Sequence, residues 1–130
     1  MSREKKVIFA IGSNASEREK LIDKAKHELE NLFQDTVFSR CAETEAIGLG
    51  TGAPDFLNCI GTATTTLPSC EVIRQAFKDI ERRMGDTRQK REGGCITIDL
   101  DLLKLDMEKQ HPMDWERPYI KMLMKEMNVK

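Results

Sequence analysis

The sequence predicts an α+β fold: a ferredoxin-like (split βαβ) antiparallel sheet with helices on one face. Three observations predict it. A short apolar run at 7–11 ends in glycine, two amphipathic helical stretches each follow a strand-like run, and an alternating segment is centred on 98–102. The chain has 130 residues, of which 39% are hydrophobic and 33% charged, as expected of one domain spanning 1–130 around one core.

Val7-Ile8-Phe9-Ala10-Ile11 is continuously apolar and stops at Gly12-Ser13-Asn14, which reads as a buried central strand. Ser16 and Glu19 have capping-box spacing for the helix that follows. Leu21, Ile22, Ala25, Leu29, Leu32 and Phe33 give that helix its apolar stripe. Residues 36–47 read in part as a strand, and the glycines and proline of 48–54 mark a loop. Phe56 to Leu67 is a strand rich in threonine and isoleucine. Ser69 then caps a second helix, whose buried face is Val72, Ile73, Ala76, Phe77, Ile80 and Met84. Gly85 is placed for a left-handed C-cap, a charged loop covers 86–94, and a strand follows over 95–103. Ile120, Leu123, Met124 and Met127 give residues 117–127 a helical period. The expected order is strand, helix, strand, strand, helix, strand, helix.

Composition excludes several function classes. The net charge of -1 gives no global attraction to nucleic acid or to anionic lipid. No apolar run approaches the roughly 20 residues of a membrane helix. The charged start Met1 to Lys6 lacks the pattern of a signal peptide, so a cytoplasmic monomer is expected. Cys41, Cys59, Cys70 and Cys95 are dispersed and read as reduced, mostly buried thiols rather than zinc ligands; His27 reads as a surface residue.

Asp99 and Asp101 are the sharpest chemical feature. Residues i and i+2 of a strand share a face, so the two carboxylates stand side by side. Such a pair suits Mg²⁺ with phosphate oxygens, and hence metal-assisted phosphoryl transfer. A bare D-x-D is short and common, and by itself is better explained as a solvated polar face. Gly12-Ser13-Asn14, between a strand and a helix start, suits anion binding or is an ordinary turn; no P-loop motif occurs. Phe56 and Asn58 alternate onto one strand face, where a ring and an amide can hold a flat heterocycle. His111 and Arg117 could bind phosphate. Taken singly, Phe56 is more often a core residue, Asn58 a turn residue, and His111 and Arg117 surface side chains.

Together and in this order, these stretches resemble the 6-hydroxymethyl-7,8-dihydropterin pyrophosphokinase family, with this chain a shortened and divergent member. The resemblance rests on Ala10 to Asn14, Thr44, Ile47-Gly48, Asp55-Phe56-Leu57-Asn58, Ile80-Glu81 through Gly85, and Thr97 to Asp101, then His111, Arg117 and Tyr119. It implies transfer of pyrophosphate from ATP to a hydroxymethyl-dihydropterin in folate synthesis, or a catalytically weak relative that binds the same ligands. By the resemblance, Asp99 and Asp101 hold Mg²⁺, and with Arg88 and Arg117 form the catalytic set. Thr44, Ile47, Phe56, Asn58 and Tyr119 take the pterin, while Glu81, His111 and Arg117 line the ATP site. Residues 86–94 become a lid over the phosphates. The family places arginines where this chain has Asp86 and Ile96, and a lid tryptophan where it has Gly93. That leaves Arg88, Lys90 or Arg91 to supply the lid cation.

Overall fold

The computed structural model describes residues 3–45 and 54–129. Strand β1 (Lys5–Ser13) is central because it is apolar on both sides. It pairs antiparallel with β4 (Phe56–Thr65) and with β5 (Asp99–Leu105). Two short strands, β2 (Gln34–Phe38) and β3 (Ala42–Thr44), share the outer edge of β4, and β6 (Glu108–Lys109) pairs with the end of β5. The result is a six-stranded antiparallel sheet in the order β2-β4-β1-β5-β6, with β3 also on β4. This is the ferredoxin-like α+β architecture, and the expected strands and helices appear in the expected order.

Helices α1 (Arg18–Leu32) and α2 (Cys70–Arg83) cover one face. Ile22, Ala25 and Leu29 of α1 and Ile73, Phe77 and Ile80 of α2 bury against Val7, Phe9 and Ile11. Phe9 is fully buried, with the rings of Phe33, Phe38 and Phe77 at 5.6, 6.0 and 6.2 Å. Full burial of such a ring stabilises by roughly 1.5–3 kcal/mol. Gly61 lies against the Phe9 ring, where a side chain would collide with it.

A short helix α3 (Arg88–Glu92) follows α2, α4 (Pro112–Trp115) follows β6, and α5 (Pro118–Glu126) ends the fold. The last of these lies on the opposite face, so the helices do not all share one face of the sheet as the sequence predicts. Its Ile120, Leu123 and Met124 pack on Ile8, Ala10, Ile60 and Leu103, forming a second cluster. α5 therefore adds a partial layer that leaves one end of this face to polar residues.

Local expectations fared unevenly. Ser69 does cap α2, its Oγ accepting from the Val72 N–H at 3.3 Å, and Gly85 has φ 93°. His27 is exposed. The capping box at Ser16 and Glu19 does not form, and α1 begins at Arg18 without a side-chain cap. A tight turn precedes it instead: the Ser13 Oγ accepts from the Ala15 N–H, and the Ala15 carbonyl from the Arg18 N–H. The charged segment 86–94 holds α3, capped by Thr87 accepting from the Lys90 N–H. β5 starts at Asp99, four residues after the expected strand begins, because Asn14 occupies the Ile96 backbone. Among the described residues no helix is long and apolar enough to cross a membrane.

Candidate active site

Strand register assembles the site. Ala42, Asn58, Gly12 and Asp99 stand in one row across β3, β4, β1 and β5. Thr44 and Phe56 lie in the row beyond, with Ile60, Ala10 and Asp101 in the row before. Strand alternation turns Thr44, Phe56, Asn58, Asp99 and Asp101 to the face that carries α5. The remote halves of the sequence thus meet on one surface about four strands wide, with neighbouring strands roughly 4.8 Å apart.

Asn58 is buried, and its Nδ2 donates to Thr44 Oγ1 at 2.6 Å and to the Ala42 carbonyl at 3.5 Å. Gly12 makes room for it. A Cβ there would stand 2.9 Å from Asn58 Oδ1 and 3.6 Å from the Phe56 ring. Ring, amide and hydroxyl therefore sit together beside a stretch of bare backbone.

The carboxylates on the neighbouring strand repel each other. Burial first, then the charge of Asp99 and a hydrogen bond to it, push Asp101 up to about 8. A cation between them removes that conflict. Among the described residues no group of three or more His, Cys, Asp or Glu is placed to hold a metal. The two carboxylates alone fit Mg²⁺, which commonly takes one or two carboxylates and completes its shell with phosphate and water.

Arg91 already sits beside this pair. Its guanidinium lies 3.3 Å from Asp99, 3.8 Å from Glu81 and 2.5 Å from Asp86, and it donates to the Ile98 carbonyl at 3.0 Å. Asp86 also accepts from the Ile98 N–H, and Glu81 from the Leu100 N–H at 2.7 Å. Burial pushes Glu81 up to about 7, opposed by that backbone bond and by Arg91. Of the three lid cations suggested by sequence, Arg91 reaches the site. Arg88 is exposed, with no ion pair among the described residues. Lys90 bonds the Gly85 carbonyl.

Tyr119 is half-buried on the second cluster, its phenol pushed up to about 12 by burial and by the charges of Asp114, Asp101 and Asp99, against Arg117. Arg117 is exposed and pairs with Asp114 at 3.0 Å. His111 is exposed at the start of α4, and its side chain makes no hydrogen bond among the described residues. Ile47 lies outside the described residues.

Gly12-Ser13-Asn14 plays a structural part rather than an anion-binding one. Asn14 is 1% exposed, donates from Nδ2 to the Gly94 carbonyl at 2.8 Å, and accepts from the Ile96 N–H at 2.6 Å. Its own N–H goes to the Ile96 carbonyl. Ser13 is fully buried and donates to the same carbonyl. Asn14 thus ties the segment after α3 to the end of β1. No local pattern announces this, since its partners lie about 80 positions away.

The model of the 7,8-dihydro-6-hydroxymethylpterin-pyrophosphokinase family matches residues 8–129. The chain belongs to this family. Among curated proteins none matches it significantly. Members of the pyrophosphokinase family act in the folate pathway, and the family uses ATP and Mg²⁺. The matched span runs from β1 through α5, and so includes every residue of the site described above.

Proposed function

We propose that the chain transfers pyrophosphate from ATP to the hydroxymethyl group of 6-hydroxymethyl-7,8-dihydropterin. One observation carries the reading: the Phe56–Asn58–Thr44 slot and the Asp99–Asp101 pair share one face of the sheet, two strands apart. In this reading Phe56 and Tyr119 hold the pterin ring, and Asn58 and Thr44 its polar edge. The hydroxymethyl oxygen attacks the β-phosphorus, and AMP leaves with the bridging oxygen. Asp99 and Asp101 would hold Mg²⁺, which supplies charge neutralisation and alignment of the phosphates. Arg91 offers its guanidinium to the transferring group, and Glu81, His111 and Arg117 border the nucleotide. Ile47 belongs to the pterin pocket and Arg88 to the lid in the same reading.

A second reading has a specific observation behind it. Asp86 and Ile96 stand at lid arginine positions, and Arg91 is held by Asp86 at 2.5 Å. A chain in this state binds pterin and nucleotide while turning over slowly. The test is AMP release from ATP with hydroxymethyl-dihydropterin and Mg²⁺, for the native chain and Asp99→Ala. Mg²⁺-dependent release abolished by Asp99→Ala supports transfer. Pterin and ATP binding without release supports the slow relative, and binding of neither overturns both.

A further inference from the structure

On the helix-covered face, away from the candidate active site, two cysteines are brought together. Ser39 is joined to Ile60: its N–H donates to the Ile60 carbonyl at 2.8 Å, and its Oγ accepts from the Ile60 N–H at 2.9 Å. Three residues on, Ala42 pairs with Asn58. The outer strand thus sets Arg40 and Cys41 against the single residue Cys59, a bulge in the edge of the sheet. Running the β3 register back by one residue puts Cys41 opposite Cys59. Opposed residues of an antiparallel pair have Cα atoms roughly 4.5–5.5 Å apart. That lies within the roughly 4.4–6.8 Å that a disulfide spans. Both side chains also turn to the same side: Cys59 is a member of the α1–α2 cluster, and Cys41 packs against that cluster.

We propose that Cys41 and Cys59 form a reversible thiol–disulfide couple, with Cys41 the sulfur that meets the oxidant. Cys59 is fully buried, whereas Cys41 is partly exposed. The adjacent Cys59 thiol holds the Cys41 thiol down to about 6, and nearby Lys26 acts in the same direction. Burial, Asp23 and Glu19 oppose this. Cys59 is pushed up by its Cys41 neighbour and by burial, so it keeps its proton.

The oxidant is a hydroperoxide. The Cys41 thiolate attacks one peroxide oxygen, the O–O bond breaks, and the alcohol (water, from hydrogen peroxide) leaves with a proton. This oxidises Cys41 to a sulfenic acid. The Cys59 sulfur then displaces hydroxide from Cys41. The S–S bond forms, the S–O bond breaks, and the hydroxide departs as water with the Cys59 proton. Two thiols lose two electrons and one hydroperoxide gains them. A dithiol reverses the step. The bridge ties together the two strands that carry Thr44 and Asn58.

The test treats the folded full chain with hydrogen peroxide, blocks free thiols, and maps peptides by mass. The expected product is a 41–59 linked peptide lighter by two hydrogens, with Cys70 and Cys95 still blockable and the link reversed by dithiothreitol. Cys41→Ser should give no link. Cys59→Ala should leave a dimedone-reactive sulfenic acid on Cys41. Should Cys59→Ala fail to fold, Cys41→Ser at the partly exposed position carries the comparison. A native chain that accumulates sulfenic or sulfinic acid on Cys41 without the link overturns the couple. So does a link made through Cys70 or Cys95, or one formed only after unfolding in urea.

Discussion

Asp86 holds Arg91 at 2.5 Å, and the same arginine reaches Asp99 at 3.3 Å. Asp86 is therefore not a bare negative charge at the edge of the candidate site. Its side chain is nearly buried and ion-paired, and it fixes where the Arg91 guanidinium stands. That favourable pairing also competes with any phosphate for the guanidinium.

Asp86→Asn should loosen this hold while keeping an acceptor for the Ile98 N–H. Its affinity for Mg²⁺-ATP should rise severalfold, whereas Arg91→Ala should lower it about tenfold, or about 1.4 kcal/mol. Calorimetric titration of ATP in Mg²⁺ reads both. Equal affinity in the native chain and in Arg91→Ala would remove Arg91 from the nucleotide site.

Ile96→Arg, the change that restores the family pattern on paper, should damage the protein. Ile96 is buried and both of its backbone groups are bonded to Asn14. A cation placed there must be desolvated or must pull the segment out, at a cost of roughly 2–4 kcal/mol. Urea unfolding measures it, and a midpoint unchanged from native would contradict the placement of residue 96.

Gly12→Ala probes the slot without touching a proposed ligand contact. Its Cβ would fall 2.9 Å from Asn58 Oδ1, so Asn58 must shift off Thr44. Overpacking of this kind costs roughly 1–3 kcal/mol. Quenching of a pterin analogue's fluorescence should weaken about as much as in Asn58→Ala. Native-like quenching with native stability would show that the slot does not depend on bare backbone at this position.

Glu81 predicts a pH dependence. Burial raises its carboxyl to about 7 in the folded chain, above the roughly 4.3 of an unfolded glutamate. For a raised acid the stabilising contribution is complete below the unfolded value and is lost as pH rises through the folded one. Stability should therefore fall between about pH 4.5 and 7.5, by roughly 1–2 kcal/mol after solvent screening. Glu81→Gln should flatten that slope, because its amide oxygen still accepts from the Leu100 N–H. Urea midpoints across this range test it; parallel slopes in the two proteins would exclude Glu81 as the group responsible.

The fold was legible where physics is local. Val7 to Ile11 lacks polar positions because both faces of β1 are covered, and Ser69 announces α2 through its own hydroxyl. The pairing of Phe56 with Asn58, and of Asp99 with Asp101, followed from a two-residue period. The parts that stayed hidden depend on distant partners. Ser16 and Glu19 have the spacing of a cap, yet the turn bonded to Ser13 decides where α1 starts. Cys95 to Ile98 alternates in keeping with a strand, yet Asn14 takes the backbone that a ladder would use. Arg91 was one of three equivalent cations in the sequence, and only its ion pairs with Asp86 and Asp99 in the folded chain distinguish it.

The outer edge of β5 has one more consequence. β6 pairs with only two of its residues, so its first half would ordinarily present open donors and acceptors to any passing strand. Side chains meet part of that line instead: Glu81 takes the Leu100 N–H, and just ahead of the strand Asp86 takes the Ile98 N–H and Arg91 the Ile98 carbonyl. Three residues at the mouth of the candidate active site thus stand in for a neighbouring strand at Ile98 and Leu100. The same polar groups that crowd the lid deny a second chain the template for sheet-to-sheet aggregation. A variant that frees them for nucleotide therefore exposes the molecule to self-association as well.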